Sequence, residues 1–192
     1  MNRVFAVVFV VLLAGAGLVS AAAPVAAQPR TLQAGRDLPI AAFAGRFTGS
    51  GIAAGEDADY LGVTQRDLDI QIQAQGNGFS ATWRTVLRQG GSPGNPNVRT
   101  REVSLTFVPL GRPGVFRANE SGDPTAGQAL VWARIRGNTL YIYEINMIED
   151  GRLDVQTYAR TVSGAGMQLE YTRVLDGERR RIVRGRMVKQ AN

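Results

Sequence analysis

The chain has 192 residues, a formal net charge of +6, and neither cysteine nor histidine. Without cysteine there is no disulfide framework, so stability must come from packing and hydrogen bonds. Without histidine the usual acid–base group near neutral pH and the commonest transition-metal ligand are missing. This excludes Ser-His-Asp and Cys-His catalysis and histidine-bearing zinc sites. We therefore expect no catalytic residue set, no metal site and no cofactor.

The first residues predict a secretory signal peptide. Met1–Arg3 carries one positive charge, Val4–Val19 is apolar, and small residues follow as far as Ala27. Cleavage after Ala27 removes 27 of the 192 residues, leaves 165, and lowers the net charge from +6 to +5. The alternative is an uncleaved anchor, but the apolar run is shorter than the ~20 residues of a spanning helix. We expect a periplasmic or secreted bacterial protein that is not integral to the membrane after cleavage.

The mature chain is expected to begin with a flexible segment, followed by one β domain. Residues 28–36 are polar and show no periodicity, and we expect residues 37–190 to form the domain. A short helix is predicted to open it, with Asp37 as its N-cap, Pro39 in its first turn and Gly45 at its end.

Alternating strands separated by loops come next. Arg46–Ile52 is a glycine-rich strand, and Glu56–Tyr60 is an acidic loop that either is solvated or holds calcium. Leu68–Gln75 and Phe79–Arg88 alternate between apolar and polar residues, as half-buried strands do. Gln89–Val98 is rich in glycine and proline and predicts a long loop at the rim.

The second half of the chain is a run of hairpins. Turn signals such as Gly137-Asn138 and Asp176-Gly177 separate alternating runs. The remaining predicted strands are Val103–Phe107, Val115–Ala118, Ala129–Arg136, Thr139–Ile148, Leu153–Thr161, Gly166–Leu175 and Arg179–Val188. We predict an all-β antiparallel up-and-down meander of about 8–10 strands that closes into a barrel, since closure removes aggregation-prone edges.

Alternation does not say which face of the strands is inside. If the apolar face points inwards, side chains or a small ligand fill the barrel. If it points outwards, the barrel belongs in an outer membrane. Arg173 beside Leu169 and Tyr171, and a C-terminus without a terminal aromatic strand, favour the first arrangement.

The order of elements over Asp37–Val188, with Gly45-Arg46-Phe47 on the first strand, resembles the calycin arrangement of lipocalins. Those proteins carry Gly-x-Trp there, and an Arg of the last strand closes over the Trp. The resemblance implies that Phe47 takes the Trp position and that Arg184 or Arg186 is the closing Arg. It also implies a cup that binds a small, mostly apolar molecule.

Two sets of side chains are candidates for binding. The first set would line a ligand pocket and consists of Trp83, Trp132, Arg134, Tyr141, Glu144, Tyr158 and Tyr171. Its aromatics are alternatively core residues, and Glu144 is alternatively paired internally with Arg134 or Arg136. The second set would contact an anionic lipid or cell-wall polymer of the envelope and consists of Arg180, Arg181, Arg184 and Arg186. Those charges alternatively guard an exposed strand against aggregation.

Three functions are compatible with these features. The first is an exported soluble barrel that binds a small apolar or amphiphilic ligand. The second is an envelope interaction module that uses the basic C-terminal hairpin. The third is a histidine-independent isomerase or cyclase in which Glu144 acts. Nucleic acid is not expected as a partner, because an exported chain without a stacking motif is a poor candidate despite its charge.

Overall fold

The computed structural model describes residues 37–55, 64–88, 98–164 and 166–191. The predicted signal peptide, the segment 28–36, the acidic loop 56–60 and residues 89–97 lie outside these ranges. The strands are β1 (Gly45–Gly55), β2 (Thr64–Gln75), β3 (Gly78–Arg88), β4 (Val98–Pro109), β5 (Val115–Ala118), β6 (Leu130–Arg136), β7 (Thr139–Met147), β8 (Leu153–Ser163), β9 (Gly166–Leu175) and β10 (Glu178–Lys189). Short 3₁₀ turns cover Ile40–Phe43 and Pro124–Ala126.

The ten strands form one closed antiparallel barrel, which confirms the predicted fold class. Each strand pairs with the next in sequence, and β10 returns to pair with β1 from Phe47–Lys189 to Gly55–Arg181. This last pairing leaves no open edge on the sheet. None of the helices in the described ranges is long and apolar enough to span a membrane.

The apolar face of the strands points into the barrel, which decides the question that alternation left open. The buried core draws on almost every strand and includes Phe47, Ile72, Phe79, Phe107, Phe116, Ile135, Leu140, Ile142, Met167 and Met187. Phe79 stacks on Phe107 with ring centroids 4.5 Å apart and meets Phe116 edge-on at 5.1 Å. These rings fill one half of the interior.

The short helix predicted from Asp37 is a single 3₁₀ turn, and Asp37 does not cap it. The N-cap position is Pro39, without a side-chain hydrogen bond. Asp37 Oδ1 instead accepts a hydrogen bond from the Gly137 amide at 2.7 Å, and the Leu38 amide donates to the Gly137 carbonyl at 2.9 Å. The segment is thereby held to the β6–β7 turn, while fully buried Phe43 joins the core.

The residue that lies over Phe47 differs from the one that the lipocalin resemblance implies. Arg184 and Arg186 are exposed on the outer face of β10, so neither is a closing arginine. Lys189 is the register partner of Phe47, and its Nζ lies 5.9 Å from the Phe47 ring centroid, within cation–π range.

Glycines make the close contact between β1 and β10 sterically feasible. A Cβ at Gly49 would collide with the Arg186 carbonyl and lie 2.8 Å from the Met187 Cα. Gly51 and Gly185 are register partners, and a Cβ at Gly185 would lie 2.8 Å from Leu68 Cδ1. The seam therefore needs residues without a side chain.

We expect Gly49→Ala to lower the free energy of unfolding by about 1–3 kcal/mol, because the methyl group must displace backbone at the seam. Denaturant unfolding would measure the change. Ser50→Ala, at the adjacent exposed position, is the matched control and should leave stability nearly unchanged. Equal stabilities of the two variants would contradict the steric role of Gly49.

Candidate ligand cavity in the barrel

The other half of the interior contains a cavity of about 540 Å³. Its wall combines aliphatic, aromatic and cationic side chains. The inward-facing residues that line it are Arg66, Leu68, Ile70, Trp83, Thr85, Leu87, Arg99, Arg101, Tyr158, Arg160, Leu169, Tyr171, Arg181 and Val183. This volume lies in the range of pockets that enclose small organic ligands, about 300–1,000 Å³.

Three aromatic side chains of the cavity lining form one contiguous cluster. Tyr158 on β8 and Tyr171 on β9 are register partners, and their ring centroids are 4.9 Å apart. Trp83 on β3 lies across the interior, with its ring centroid 5.2 Å from that of Tyr158. We call Trp83, Tyr158 and Tyr171 the aromatic wall.

A hydrogen-bond network fixes the two tyrosines of the aromatic wall. Gln156 Oε1 accepts from the Tyr158 hydroxyl at 3.2 Å and from the Tyr171 hydroxyl at 3.0 Å. Gln156 Nε2 donates to Asp154 Oδ2 at 3.1 Å, and Arg173 Nε donates to Asp154 Oδ1 at 3.0 Å. Burial raises the pKa of both tyrosines, so both hydroxyls remain protonated donors at neutral pH.

Arg160 lines the cavity and is 0% exposed. Its guanidinium carbon is 4.5 Å from the Trp83 ring centroid and 5.8 Å from that of Tyr158. Within the described residues, Nε, Nη1 and Nη2 have no hydrogen-bond partner. Burial lowers the pKa of Arg160 to about 10, so the side chain is still charged at neutral pH.

The cavity as a whole is cationic. Arg66, Arg99, Arg101 and Arg181 line it in addition to Arg160. None of the described residues that line it is Asp or Glu. The arrangement therefore offers an apolar and aromatic surface together with several guanidinium groups.

The structure brings three of the seven predicted pocket residues together, namely Trp83, Tyr158 and Tyr171. Glu144 also faces inwards, opposite Val131, but it does not line the cavity, and its Oε1 accepts from Asn146 Nδ2 at 3.0 Å. The predicted contact of Glu144 with a ligand therefore stays a prediction.

The other three predicted pocket residues, Trp132, Arg134 and Tyr141, lie on the outer face of β6 and β7. Trp132 stacks on Tyr143 with ring centroids 4.4 Å apart, and Arg134 Nε donates to the Tyr143 hydroxyl at 3.1 Å. Arg134 and Glu144 thus lie on opposite faces of the sheet and do not form the internal pair considered from the sequence.

The basic residues of β10 are divided between the two faces. Arg181 has the same parity as inward-facing Val183 and Met187 and lines the cavity, and a register shift separates it from Arg179. Arg180 pairs with Glu178 at 2.9 Å, and Arg184 pairs with Glu170 at 2.8 Å. The predicted envelope-contacting set is therefore not one continuous surface.

The sequence analysis did not select four inward-facing arginines of the cavity: Arg66, Arg99, Arg101 and Arg160. A signal for Arg160 was present, because it shares the parity of Tyr158 on β8. Arg99 and Arg101 were not placed on a strand, because the predicted strand began at Val103, whereas β4 begins at Val98. Apolar alternation stops there because the inward positions are charged.

A second depression, of about 840 Å³, lies on the outside of the barrel. Its wall includes the Arg184–Glu170 ion pair and outward-facing residues such as Ser50 and Gln168. Its charged groups are exposed, and Arg184 and Glu170 neutralise each other, whereas the interior cavity contains the buried Arg160, whose guanidinium has no hydrogen-bond partner within the described residues. The interior cavity is therefore the stronger candidate site.

Comparisons with known proteins leave the family open. No family model matches the sequence, and no curated protein matches it. Among solved structures, an S-type phycobiliprotein lyase from Guillardia theta aligns with a TM-score of 0.36 and 9% identity, over 80% of this chain and 91% of that chain. A TM-score this low says nothing about this chain's ligand. The closed antiparallel barrel itself is consistent with a calycin-like arrangement.

We expect Arg160→Met to raise the free energy of unfolding of the ligand-free protein by about 1–4 kcal/mol. Burying an unpaired ion costs several kcal/mol, whereas the lost cation–π contact is worth about 2 kcal/mol. Denaturant unfolding at neutral pH would measure the difference. A large destabilisation would show that Arg160 is a structural requirement of the core.

We expect Asp154→Ala to lower the free energy of unfolding by about 2 kcal/mol, because Arg173 and Gln156 both lose a charged acceptor. Thermal unfolding would report the loss. Asp150→Ala is the matched control, since Asp150 pairs with Arg152 on the exposed β7–β8 turn. An Asp154→Ala variant as stable as this control would contradict the importance of the network.

Proposed function

We propose that this protein is an exported, soluble barrel that binds a small amphiphilic organic molecule in its interior cavity. The observation that carries the proposal is the cavity of about 540 Å³ bounded by the aromatic wall. Core positions of a barrel interior are normally filled to crystal-like density. A cavity of this size beside buried polar groups instead has the character of a binding site.

The chemistry of the wall supports an amphiphilic ligand. Leu68, Ile70 and Leu169 offer aliphatic contacts, and the aromatic wall offers faces for stacking or for CH contacts. The guanidinium groups offer hydrogen-bond donors to the polar part of the molecule. A purely apolar ligand would leave the buried nitrogens of Arg160 without a partner among the described residues.

Export is part of the proposal and is supported by the sequence of residues 1–27. The protein would then bind its ligand in the periplasm or in the extracellular medium. Measuring the mass of the mature protein recovered from the periplasm or the medium would test cleavage after Ala27.

The two alternative functions stay predictions. For the envelope module, two of the four arginines engage carboxylates, which reduces the charge available to an anionic surface. For the isomerase or cyclase, Glu144 is on the inner face but outside the cavity wall. No specific observation favours either over ligand binding.

Native mass spectrometry of the protein released by osmotic shock would test the proposed function. We expect excess mass that disappears on denaturation, and we expect Trp83→Ala to lose it because that change removes part of the aromatic wall. Trp132→Ala, on the outer face, is the matched control and should keep it.

A bare mass that persists after the protein is incubated with a lipid and metabolite extract would overturn ligand binding. Loss of the excess mass in Trp132→Ala but not in Trp83→Ala would place the ligand on the outer face instead of in the cavity.

A further inference from the structure

Arg160 is a buried cation whose charge no described side chain balances. It is fully buried, three of its nitrogens lack hydrogen-bond partners, and it lines the cavity. Tyr158 is the titratable group whose charge would act on the pKa of Arg160. Its hydroxyl stays neutral because burial raises the pKa of Tyr158. A polar group this deeply buried is normally satisfied by a partner.

We propose that the ligand is an organic anion and that Arg160 receives its carboxylate, or a comparable oxyanion, in the cavity. This inference rests on the proposed function and names the class of molecule that the cavity takes. A carboxylate matches the planar guanidinium because it can accept two parallel hydrogen bonds.

The packing around Arg160 explains why a neutral ligand is disfavoured. The Trp83 ring covers the guanidinium at 4.5 Å, and Leu169 is its register partner on β9. A neutral molecule without acceptors that filled the cavity would leave this buried charge unpaired. An anion removes that penalty, since it provides both charge and acceptors.

The remaining arginines fit the same class of ligand. Arg99 and Arg101 lie on an exposed part of β4, and Arg66 and Arg181 complete the cationic lining. A cleft of one charge sign raises the local concentration of the opposite charge and speeds association. The aliphatic and aromatic surfaces between these arginines and Arg160 would hold the apolar body of the anion.

Matched pairs of carboxylates and their primary amides test the proposal: octanoate, dodecanoate and naphthoate, each beside its amide. The chain has two tryptophans, so in a Trp132→Phe background the tryptophan fluorescence comes from Trp83 in the cavity. The change of this fluorescence on titration with each compound would measure its affinity. Isothermal titration calorimetry would confirm each affinity. We expect at least one carboxylate to bind roughly 30-fold or more tightly than its amide.

Arg160→Met should weaken binding of that carboxylate by roughly 30-fold or more and leave the amide unchanged or tighter. Arg160→Lys should keep part of the preference, since it retains the charge but not the planar pair of donors. Arg184→Gln removes the same charge from the outer face and is the matched control, with no expected change in either affinity.

The outcomes separate the two proposals. If a carboxylate and its amide bind equally, or if Arg160→Met loses both to the same extent, the anion proposal is overturned and ligand binding stands. If no member of the panel binds and the native protein carries no excess mass, both are overturned. If Arg160→Met does not fold, the Arg160→Lys variant tests the anion proposal. If that variant prefers the carboxylate over its amide as strongly as the unmodified protein does, the proposed pairing with a planar guanidinium is contradicted.

Discussion

Pairing of β10 with β1 is the constraint on which the rest of this structure depends. Before closure, the two faces of each strand differ in hydrophobicity, but neither is yet inside or outside. Once Phe47 lies opposite Lys189 and Gly55 opposite Arg181, every alternate residue of all ten strands becomes interior. The glycines at the seam allow this approach, and Phe43, from the segment before β1, is fully buried in the core. The core and the cavity are both consequences of this one closure.

The interior is divided into two chemically different halves. One half is packed with Phe47, Phe79, Phe107 and their neighbours, and the burial of these apolar side chains favours folding. The other half holds the aromatic wall, a hydrogen-bonded network and several guanidinium groups around an open volume. Arg160 belongs to this second half, where its guanidinium lies against Trp83. An unpaired buried cation opposes stability, and such local conflicts with folding are characteristic of functional sites.

Much of the fold was predictable because its signals are local. All ten strands were foreseen, and the Asp176-Gly177 turn has the positive φ angles that its sequence demands. Trp83, Tyr158 and Tyr171 were selected as pocket residues for their chemistry alone. Arg160 was not selected, because the inner face of β8 is more polar than its outer face and so carries no hydrophobic signal of being inside.

The sequence by itself determined the class of fold, through alternation of period two and glycine-rich turns, and it excluded histidine- and cysteine-based chemistry. The tertiary structure decided which face is inside, that Arg181 lies in the cavity while Arg184 and Arg186 lie outside, and that Trp83 and Arg160 meet across the barrel. The reason is physical. A period of two leaves two equivalent phases, and only long-range strand pairing selects between them, whereas contacts across a barrel join residues that no local pattern relates.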